Sequence, residues 1–309
     1  MILVLNLNAS VDKRYALSDL KKGEVQRAVS VENTAGGKGI HVAHVASLLG
    51  ADVLTTGFVG GHAGAFLEER MKRRGLAYDF AHVAGETRAC LAILTADGAQ
   101  TEILEPGPRV SEAELAAFRK KFSLLLEKAD VVVASGSLPQ GVPKELYAAL
   151  IRETHAAQKP FLLDTSGEAL ARGIEAEPDF IKPNKDEIEA LTGRPARTEA
   201  DVRRAAEYFF AAGVRCVCIS LGAAGSLACT EGGVYRVTVP EIACKNPVGS
   251  GDSYVGGFAV ALAEKKGIED ALRLAAACGT ANALEEESGF VRPATVRELQ
   301  QQIRVAKLR

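Results

Sequence analysis

An α/β fold, built on a mostly parallel sheet with helices on both faces, follows from three features of this 309-residue sequence. Short apolar runs alternate with amphipathic helical stretches along most of its length, the signature of repeated βαβ units. Two glycine-rich turns each lead directly into a helix. Two stretches rich in alternating residues have no helix between them and interrupt the rhythm.

Taken in order, Ile2 to Asn8 is the first strand, and it opens with the apolar run Met1-Ile2-Leu3-Val4-Leu5. That run carries no basic leader and no small-residue cleavage site, so it reads as a strand and not as a signal peptide. Further buried strands are expected at Val53 to Val59, Val131 to Ser135, Phe161 to Asp164, Phe180 to Lys182 and Val214 to Ser220. Helical spacing of apolar residues places helices at Gly39 to Leu49, Ala63 to Arg74, Glu112 to Lys128, Lys144 to Ala157 and Lys185 to Leu191. It places four more at Glu199 to Ala212, Asp252 to Lys265, Ile268 to Glu285 and Thr295 to Val305. The runs Glu24-Val25-Gln26-Arg27-Ala28-Val29 and Cys90-Leu91-Ala92-Ile93-Leu94 alternate instead. They predict a small separate sheet, a lid drawn from roughly 12–33 and 78–105. No Pro- or Ser-rich linker divides the chain, so residues 1–309 are expected to form one domain with this lid inserted in the N-terminal half.

Composition narrows the class. An apolar fraction of 47%, a charged fraction of 25% and a formal net charge of -2 suit a soluble enzyme. They give no basic field for nucleic acid or an anionic membrane, and small-molecule partners fit better. No apolar run reaches spanning length. The six cysteines form no CxxC pair or zinc spacing, and read as reduced core residues of a cytoplasmic protein.

The chemistry concentrates in Asn246-Pro247-Val248-Gly249-Ser250-Gly251-Asp252-Ser253. Gly249 and Gly251 permit a tight turn whose N–H groups point into one hollow. The helix that follows turns its positive end to the same hollow, so an anion is expected there. Asp252, first on that helix, is placed to take a proton from an attacking hydroxyl, and reads equally well as a simple N-cap. Thr34-Ala35-Gly36-Gly37-Lys38-Gly39 is a second such turn with a cation beside it, although a strand-to-helix turn alone would explain it. It has neither Walker A nor GxGxxG spacing. Asn184 and Glu187, three apart at a helix start, could hold Mg²⁺ directly or through water, or cap the helix reciprocally, or both. Arg88 and Ser137, at strand ends, are candidates for gripping a phosphate, although a residue of either kind taken alone is more often a surface charge or a turn residue. Ser220-Leu221-Gly222-Ala223-Ala224-Gly225 offers a glycine floor for a base or ribose, or a plain hairpin. His41 and His44 share a helix face, but no third ligand completes a metal site.

In this order the pieces resemble the ribokinase-like carbohydrate kinases of the PfkB type, and the resemblance covers essentially the whole chain. It rests on Leu7-Asn8-Ala9-Ser10-Val11-Asp12, the GGKG cluster with Gly60-Gly61, Ser135-Gly136-Ser137-Leu138-Pro139, Lys182-Pro183-Asn184 with Glu187, and Asn246 to Ser253. Asp12, Gly85-Glu86-Thr87-Arg88 and Thr101 to Pro108 look like the branch holding tagatose-6-phosphate kinase and 1-phosphofructokinase.

The resemblance implies a ribokinase-like three-layer sandwich with a small β lid. It implies ATP and Mg²⁺ as cofactors and a ketohexose monophosphate as acceptor, with tagatose 6-phosphate favoured over fructose 1-phosphate. Asp252 becomes the catalytic base and the backbone of Gly249, Ser250 and Gly251 the anion hole. Asp12 and Gly37 would contact sugar hydroxyls, while Lys38, Arg88 and Ser137 hold the existing phosphate, with Arg27 on a lid strand as a further candidate. Asn184 and Glu187 would organise Mg²⁺ and the triphosphate with Lys182 nearby, and Ser220, Gly222 and Gly225 would line the nucleotide pocket. Exposed lid edges offer a surface for a homodimer.

Two departures bear on the acceptor: His41 stands beside the sugar where the branch carries Asn, and Ala9 replaces Pro in the first motif. The alternative within the class is a kinase of an unphosphorylated sugar or nucleoside. A non-catalytic sugar-phosphate binding protein would need neither base nor metal site. A dinucleotide oxidoreductase would need a glycine-rich turn after the first strand, where Asn8-Ala9-Ser10 stands.

Overall fold

Alternation with a period of two along the buried strands sets the architecture. The computed structural model describes residues 1–194, 196 and 198–308. In chain order the first half comprises β1 (Ile2–Asn6), β2 (Ser10–Leu17), β3 (Ser30–Gly36), α1 (Lys38–Leu48), β4 (Val53–Val59) and α2 (Gly61–Arg73), then β5 (Ala77–Tyr78), β6 (Ala81–His82), β7 (Arg88–Thr95), β8 (Gln100–Leu104) and α3 (Glu112–Leu126). Next come β9 (Val131–Ser135), α4 (Leu146–Ala156), β10 (Phe161–Asp164), α5 (Gly167–Ile174), β11 (Phe180–Ile181), α6 (Lys185–Thr192) and α7 (Glu199–Ala211). The chain closes with β12 (Cys216–Ser220), a 3₁₀ turn (Gly222–Ala224), β13 (Ser226–Thr230), β14 (Gly233–Thr238), α8 (Ser250–Ala263), α9 (Ile268–Ala283), α10 (Pro293–Gln302) and β15 (Arg304–Lys307).

The main sheet runs β15-β14-β13-β12-β11-β10-β9-β1-β4-β5, with β6 also paired to β4. The strands from β12 through β1 to β5 and β6 pair in parallel, and β12 to β15 pair antiparallel. Because successive side chains leave a strand on opposite faces, the parallel core feeds two hydrophobic layers. Leu3, Leu5, Val132, Ala134 and Leu163 pack with Phe118 and Phe122 of α3, Tyr147 and Ile151 of α4 and Leu170 of α5. Ile2, Val4, Val131, Val133 and Leu162 pack on the other face with Val42 of α1, Val255 and Phe258 of α8, Leu272 of α9 and Val296 of α10. The result is the expected α/β sandwich of helix, sheet and helix. Each large apolar side chain so buried contributes about 1.5–3 kcal/mol.

Close approach fixes α8 between its neighbours. A Cβ on Gly256 would lie 3.0 Å from the Val42 carbonyl of α1, and one on Gly257 would lie 2.8 Å from Cys278 Sγ of α9. The two glycines let the helix that starts with Ser250 sink against both partners, which fixes where its N-terminus points.

A second, four-stranded sheet has the order β3-β2-β7-β8. Its β2–β7 pair is parallel, and the other two are antiparallel. It begins at Ser10 and takes in β3 up to Gly36, so it reaches further on both sides than residues 12–33. Ala77–Tyr78 and Ala81–His82, at the start of the expected 78–105 segment, instead extend the main sheet beside β4.

Several elements depart from the sequence reading. The alternating run from Glu24 to Val29 is not a strand but part of the loop joining β2 to β3. Val25 and Val29 in it are 96% and 78% exposed, so alternation there has no core to face. Helix α5 was not expected, although its eight residues place Ala169, Leu170, Gly173 and Ile174 on one buried face. The last helix ends at Gln302, and the expected Thr295 to Val305 helix gives way to β15, paired with β14. Cys244 is exposed and Cys90 half-buried, whereas Cys216, Cys218, Cys229 and Cys278 are buried free thiols. Among the described residues no helix is long and apolar enough to cross a membrane.

Candidate active site

Every parallel strand of the main sheet delivers its C-terminal end to one side, and there the small sheet stands over a cleft of about 800 Å³. Crevices at this edge are the usual ligand sites of open α/β sheets. Its walls come from the end of β1 (Asn6, Asn8), from β2 (Ser10, Asp12), from the start of α1 (Gly37, Lys38, His41), from Arg88, from Gly136 and Ser137 after β9, and from Asn246 to Gly249 with Asp252.

The turn before α8 is built around Gly249, the N-cap, whose φ of 82° lies in the left-handed region. A Cβ there would sit 2.6 Å from the Gly289 nitrogen, so the position accepts only glycine without rearrangement. The first N–H groups of a helix have no intrahelical partner; here the Ser250 N–H turns back to the Pro247 carbonyl at 3.2 Å, while Gly249 lines the cleft. Asn282, fully buried on α9, braces this turn. Its amide donates to the Val248 carbonyl at 2.8 Å and to Ser250 Oγ at 3.3 Å. Its oxygen accepts from Ser253 Oγ at 3.1 Å and from the Gly289 N–H at 2.7 Å. Asn246 closes the other side, accepting from the Val248 N–H and donating to the Glu286 carbonyl.

Asp252 lies in the first turn of α8 and is 7% exposed. Its Oδ2 is 2.8 Å from His41 Nδ1, and His41 Nε2 is 3.8 Å from Asp12 Oδ2. Asp12 is held in turn by Ser10, whose hydroxyl donates to its Oδ1 at 2.6 Å. Gly36 makes room for Asp12, since a Cβ there would lie 2.0 Å from its carboxyl carbon. Burial of His41 works to lower its pKa and is outweighed by the hydrogen bond and charge of Asp252 and by the charge of Asp12. Despite opposition from Arg74, the imidazole is more basic than an ordinary histidine.

A second charged group lies deeper. Asp164, at the end of β10 and 3% exposed, has Oδ2 3.7 Å from Lys38 Nζ and Oδ1 3.8 Å from Lys182 Nζ. It also accepts from Ser135 Oγ at 3.0 Å. Burial would raise the Asp164 pKa, but Lys38, then Lys182, then the Ser135 hydroxyl hold it below the ordinary carboxylate range. Asp164 first, with smaller contributions from Asp252 and Glu187, raises the Lys38 pKa against the effect of burial. Lys38 therefore presents a permanent positive charge to the cleft.

Arg88 is aimed by backbone oxygens: its Nε donates to the Asn8 carbonyl at 3.1 Å and its Nη1 to the Glu105 carbonyl at 3.0 Å. Ser137 Oγ accepts from Asn8 Nδ2 at 3.0 Å. Asn8 thus ties Arg88, Ser137 and, through the Pro106 carbonyl, the segment after β8 into one wall.

The remaining predicted residues lie apart from these walls. Lys182 sits beneath the glycine turn, where a Cβ on Gly251 would come within 3.0 Å of its Nζ. Asn184 and Glu187 form a reciprocal capping box at the start of α6: Glu187 N–H to Asn184 Oδ1 at 2.8 Å, and Asn184 N–H to Glu187 Oε2 at 2.9 Å. Ser220, Gly222 and Gly225 occupy the end of β12 and its hairpin to β13, outside the lining of the cleft that holds Asp252. Arg27 is corrected: it is exposed in the β2–β3 loop, neither on a strand nor in the cleft lining. Among the described residues no three His, Cys, Asp or Glu side chains group as a metal site.

Sequence reasoning missed Asn8, Asp164 and Asn282. A polar residue at the end of an apolar strand, as in Phe161-Leu162-Leu163-Asp164, was a usable signal for the second. For Asn282, inside an alanine-rich helix, only a buried amide in need of partners could have pointed to it.

Comparison with known proteins bears on the fold and the family. Residues 5–295 match the pfkB family carbohydrate kinases. Among solved structures, phosphofructokinase-2 from Escherichia coli in complex with fructose-6-phosphate aligns at TM-score 0.88 and 27% identity, covering 97% of this chain and 98% of that one. The tetrameric inhibited form of the same enzyme aligns at 0.89 and 28%, with the same coverage. Ribokinase from Arabidopsis thaliana, complexed with ribose and ATP, shares the fold at TM-score 0.82 and 23% identity, again over 97% and 98%.

Proposed function

The chain belongs to the pfkB family of carbohydrate kinases, and from that membership and the geometry of the cleft we propose an ATP-dependent kinase of a ketohexose monophosphate, with Asp252 as general base. The observation that carries this is one arrangement. A buried carboxylate stands at the glycine turn that opens α8, and the same cleft presents Arg88, Ser137 and a permanently charged Lys38. The turn suits the transferring phosphoryl group, and the Arg–Lys–Ser wall suits a phosphate already on the sugar. Tagatose 6-phosphate is the favoured acceptor, with fructose 1-phosphate next. The E. coli neighbour bound to fructose-6-phosphate supports an acceptor of this class.

In the proposed reaction the acceptor hydroxyl attacks the γ-phosphorus in line while Asp252 takes its proton, assistance typically worth about 10² to 10⁴ in rate. The backbone N–H groups at Gly249, Ser250 and Gly251 stabilise the charge on the transferring oxygens. Asp12 and Gly37 orient the sugar, and Lys182, beneath the turn, faces the triphosphate with Ser220, Gly222 and Gly225 on the nucleotide side. Asn184 and Glu187 fit Mg²⁺ bound through water: the capping box uses Glu187 Oε2 and leaves Oε1, a hard oxygen donor of the kind Mg²⁺ takes. Bound there, Mg²⁺ would neutralise phosphate charge. The small sheet is proposed as a lid that excludes water, and its exposed Val31, Ile103 and Leu104 as a surface for a second copy of the chain.

Two measurements test the reading. Asp252→Asn should keep ATP and sugar binding near normal while ADP release in a coupled assay falls by about 10² or more; turnover close to the parent would sink the base. A panel of ketohexose monophosphates against the free sugars, compared by kcat/KM, should favour the phosphorylated acceptors. Arg88→Ala should erase that preference, whereas an equal loss on all acceptors would favour the kinase of an unphosphorylated sugar or nucleoside.

A further inference from the structure

His41 is the one imidazole among the cleft walls, and its surroundings are unusually complete. It sits in the first turn of α1, 9% exposed, and the loop after α9 closes on it so tightly that a Cβ on Gly289 would lie 2.5 Å from its own Cβ. Four ionisable groups face it. Asp252 comes from α8, Asp12 from β2 and Arg74 from the end of α2, and His44 lies one turn further along α1. Arg74 is itself paired with Glu287, which takes up part of its charge.

The hydrogen bond has a fixed sense. An ionised carboxylate only accepts, so the proton between His41 Nδ1 and Asp252 Oδ2 belongs to the ring. That bond occupies one oxygen of Asp252 and leaves the other for the acceptor hydroxyl. The far nitrogen, Nε2, looks towards Asp12 at 3.8 Å, so a protonated ring stands between two carboxylates.

We propose that His41 is a positioning residue for Asp252: its Nδ1–H orients the carboxylate, and the charge state of the ring sets how strongly Asp252 can accept the hydroxyl proton. This rests on Asp252 being the base. In the step itself the acceptor O–H bond breaks and its proton passes to the free oxygen of Asp252. The new O–P bond forms, and the bond from phosphorus to the leaving oxygen of ADP breaks with its electron pair. The ring neither gains nor loses a proton. An imidazolium hydrogen-bonded to a carboxylate makes any carboxylate a poorer proton acceptor, whereas a neutral ring keeps the hydrogen bond without the full charge. Since Asp252 and Asp12 hold the imidazolium beyond the ordinary histidine range, turnover should still be climbing as pH passes above about 6.5.

Two substitutions separate orientation from titration. The side-chain amide of His41→Asn can donate to Asp252 from the place of Nδ1 but does not titrate; His41→Ala does neither. His41→Asn should retain roughly tenfold more turnover than His41→Ala, as expected for one charge-assisted hydrogen bond, and should lose the rise in kcat above neutral pH. Ring-nitrogen NMR supplies a readout that needs no turnover. The chain has five histidines, and the His41 signal is the one missing in His41→Asn. Its titration midpoint should lie above about 6.5 and fall in both Asp252→Asn and Asp12→Asn. Equal turnover and pH profiles for the two His41 variants would overturn the proposal, as would a midpoint unmoved by Asp252→Asn. That last result leaves the kinase reading intact, whereas an active Asp252→Asn enzyme removes the base and this role together.

Discussion

Asn282→Ala tests whether the glycine turn before α8 is held from behind. The amide has zero exposure and makes four hydrogen bonds, two of them to backbone groups, Val248 C=O and Gly289 N–H, at 2.8 and 2.7 Å. Ser253 Oγ keeps a second partner, the Gly249 carbonyl at 2.8 Å, so its loss is small. The two backbone groups have no such substitute, and a buried polar group left without a partner costs about 1–3 kcal/mol. The expected destabilisation from the two groups is therefore about 2–6 kcal/mol, read from urea unfolding by linear extrapolation. Because Val248 and Ser250 flank Gly249, the turn should also relax away from its present geometry. Turnover should then fall by about tenfold or more, as for a misplaced oxyanion donor, with the KM for the sugar less affected. A variant within about 1 kcal/mol of the parent and with normal turnover would show that the turn holds its shape without α9, and the reasoning would fail.

Two further substitutions test the same region and its surroundings. Gly249→Ala places a side chain at φ 82° and 2.6 Å from the Gly289 nitrogen, so stability should drop by about 1–3 kcal/mol and ATP binding should weaken, as seen by calorimetry. His44, pushed down to about 4 chiefly by burial and then by Arg74, binds its proton more readily in the unfolded chain. Its contribution to stability is complete above about pH 6.5 and is lost as pH falls towards 4. His44→Gln should flatten that acid decline in an unfolding series, and an unchanged slope would contradict it. His41 has the opposite sign: its raised pKa adds stability at low pH that fades as pH rises through its folded value.

The central strands were legible because parallel strands buried on both faces leave continuous apolar runs, as Val131-Val132-Val133-Ala134 does. The edges were not. Strands β13 to β15 carry mixed residues, β14 and β15 are partly exposed, and their antiparallel pairing depends on β12 being in place to receive them. The run from Glu24 to Val29 shows the converse: alternation without a partner strand is a loop.

Within the site, each glycine turn and the helix behind it could be read locally, because positive φ and a helix N-terminus are properties of a few consecutive residues. Asp252 could be named in this way. That His41, 211 residues away, donates to it could not; nor could the place of Asp164 between Lys38 and Lys182, or of Asn282 behind the turn. Hydrophobic period and turn chemistry are short-range and survive in one dimension. Contacts between α1, α8, α9 and β10 depend on how closely the helices pack on the sheet, and glycines such as Gly256 and Gly257 set that distance only once their neighbours are there to approach.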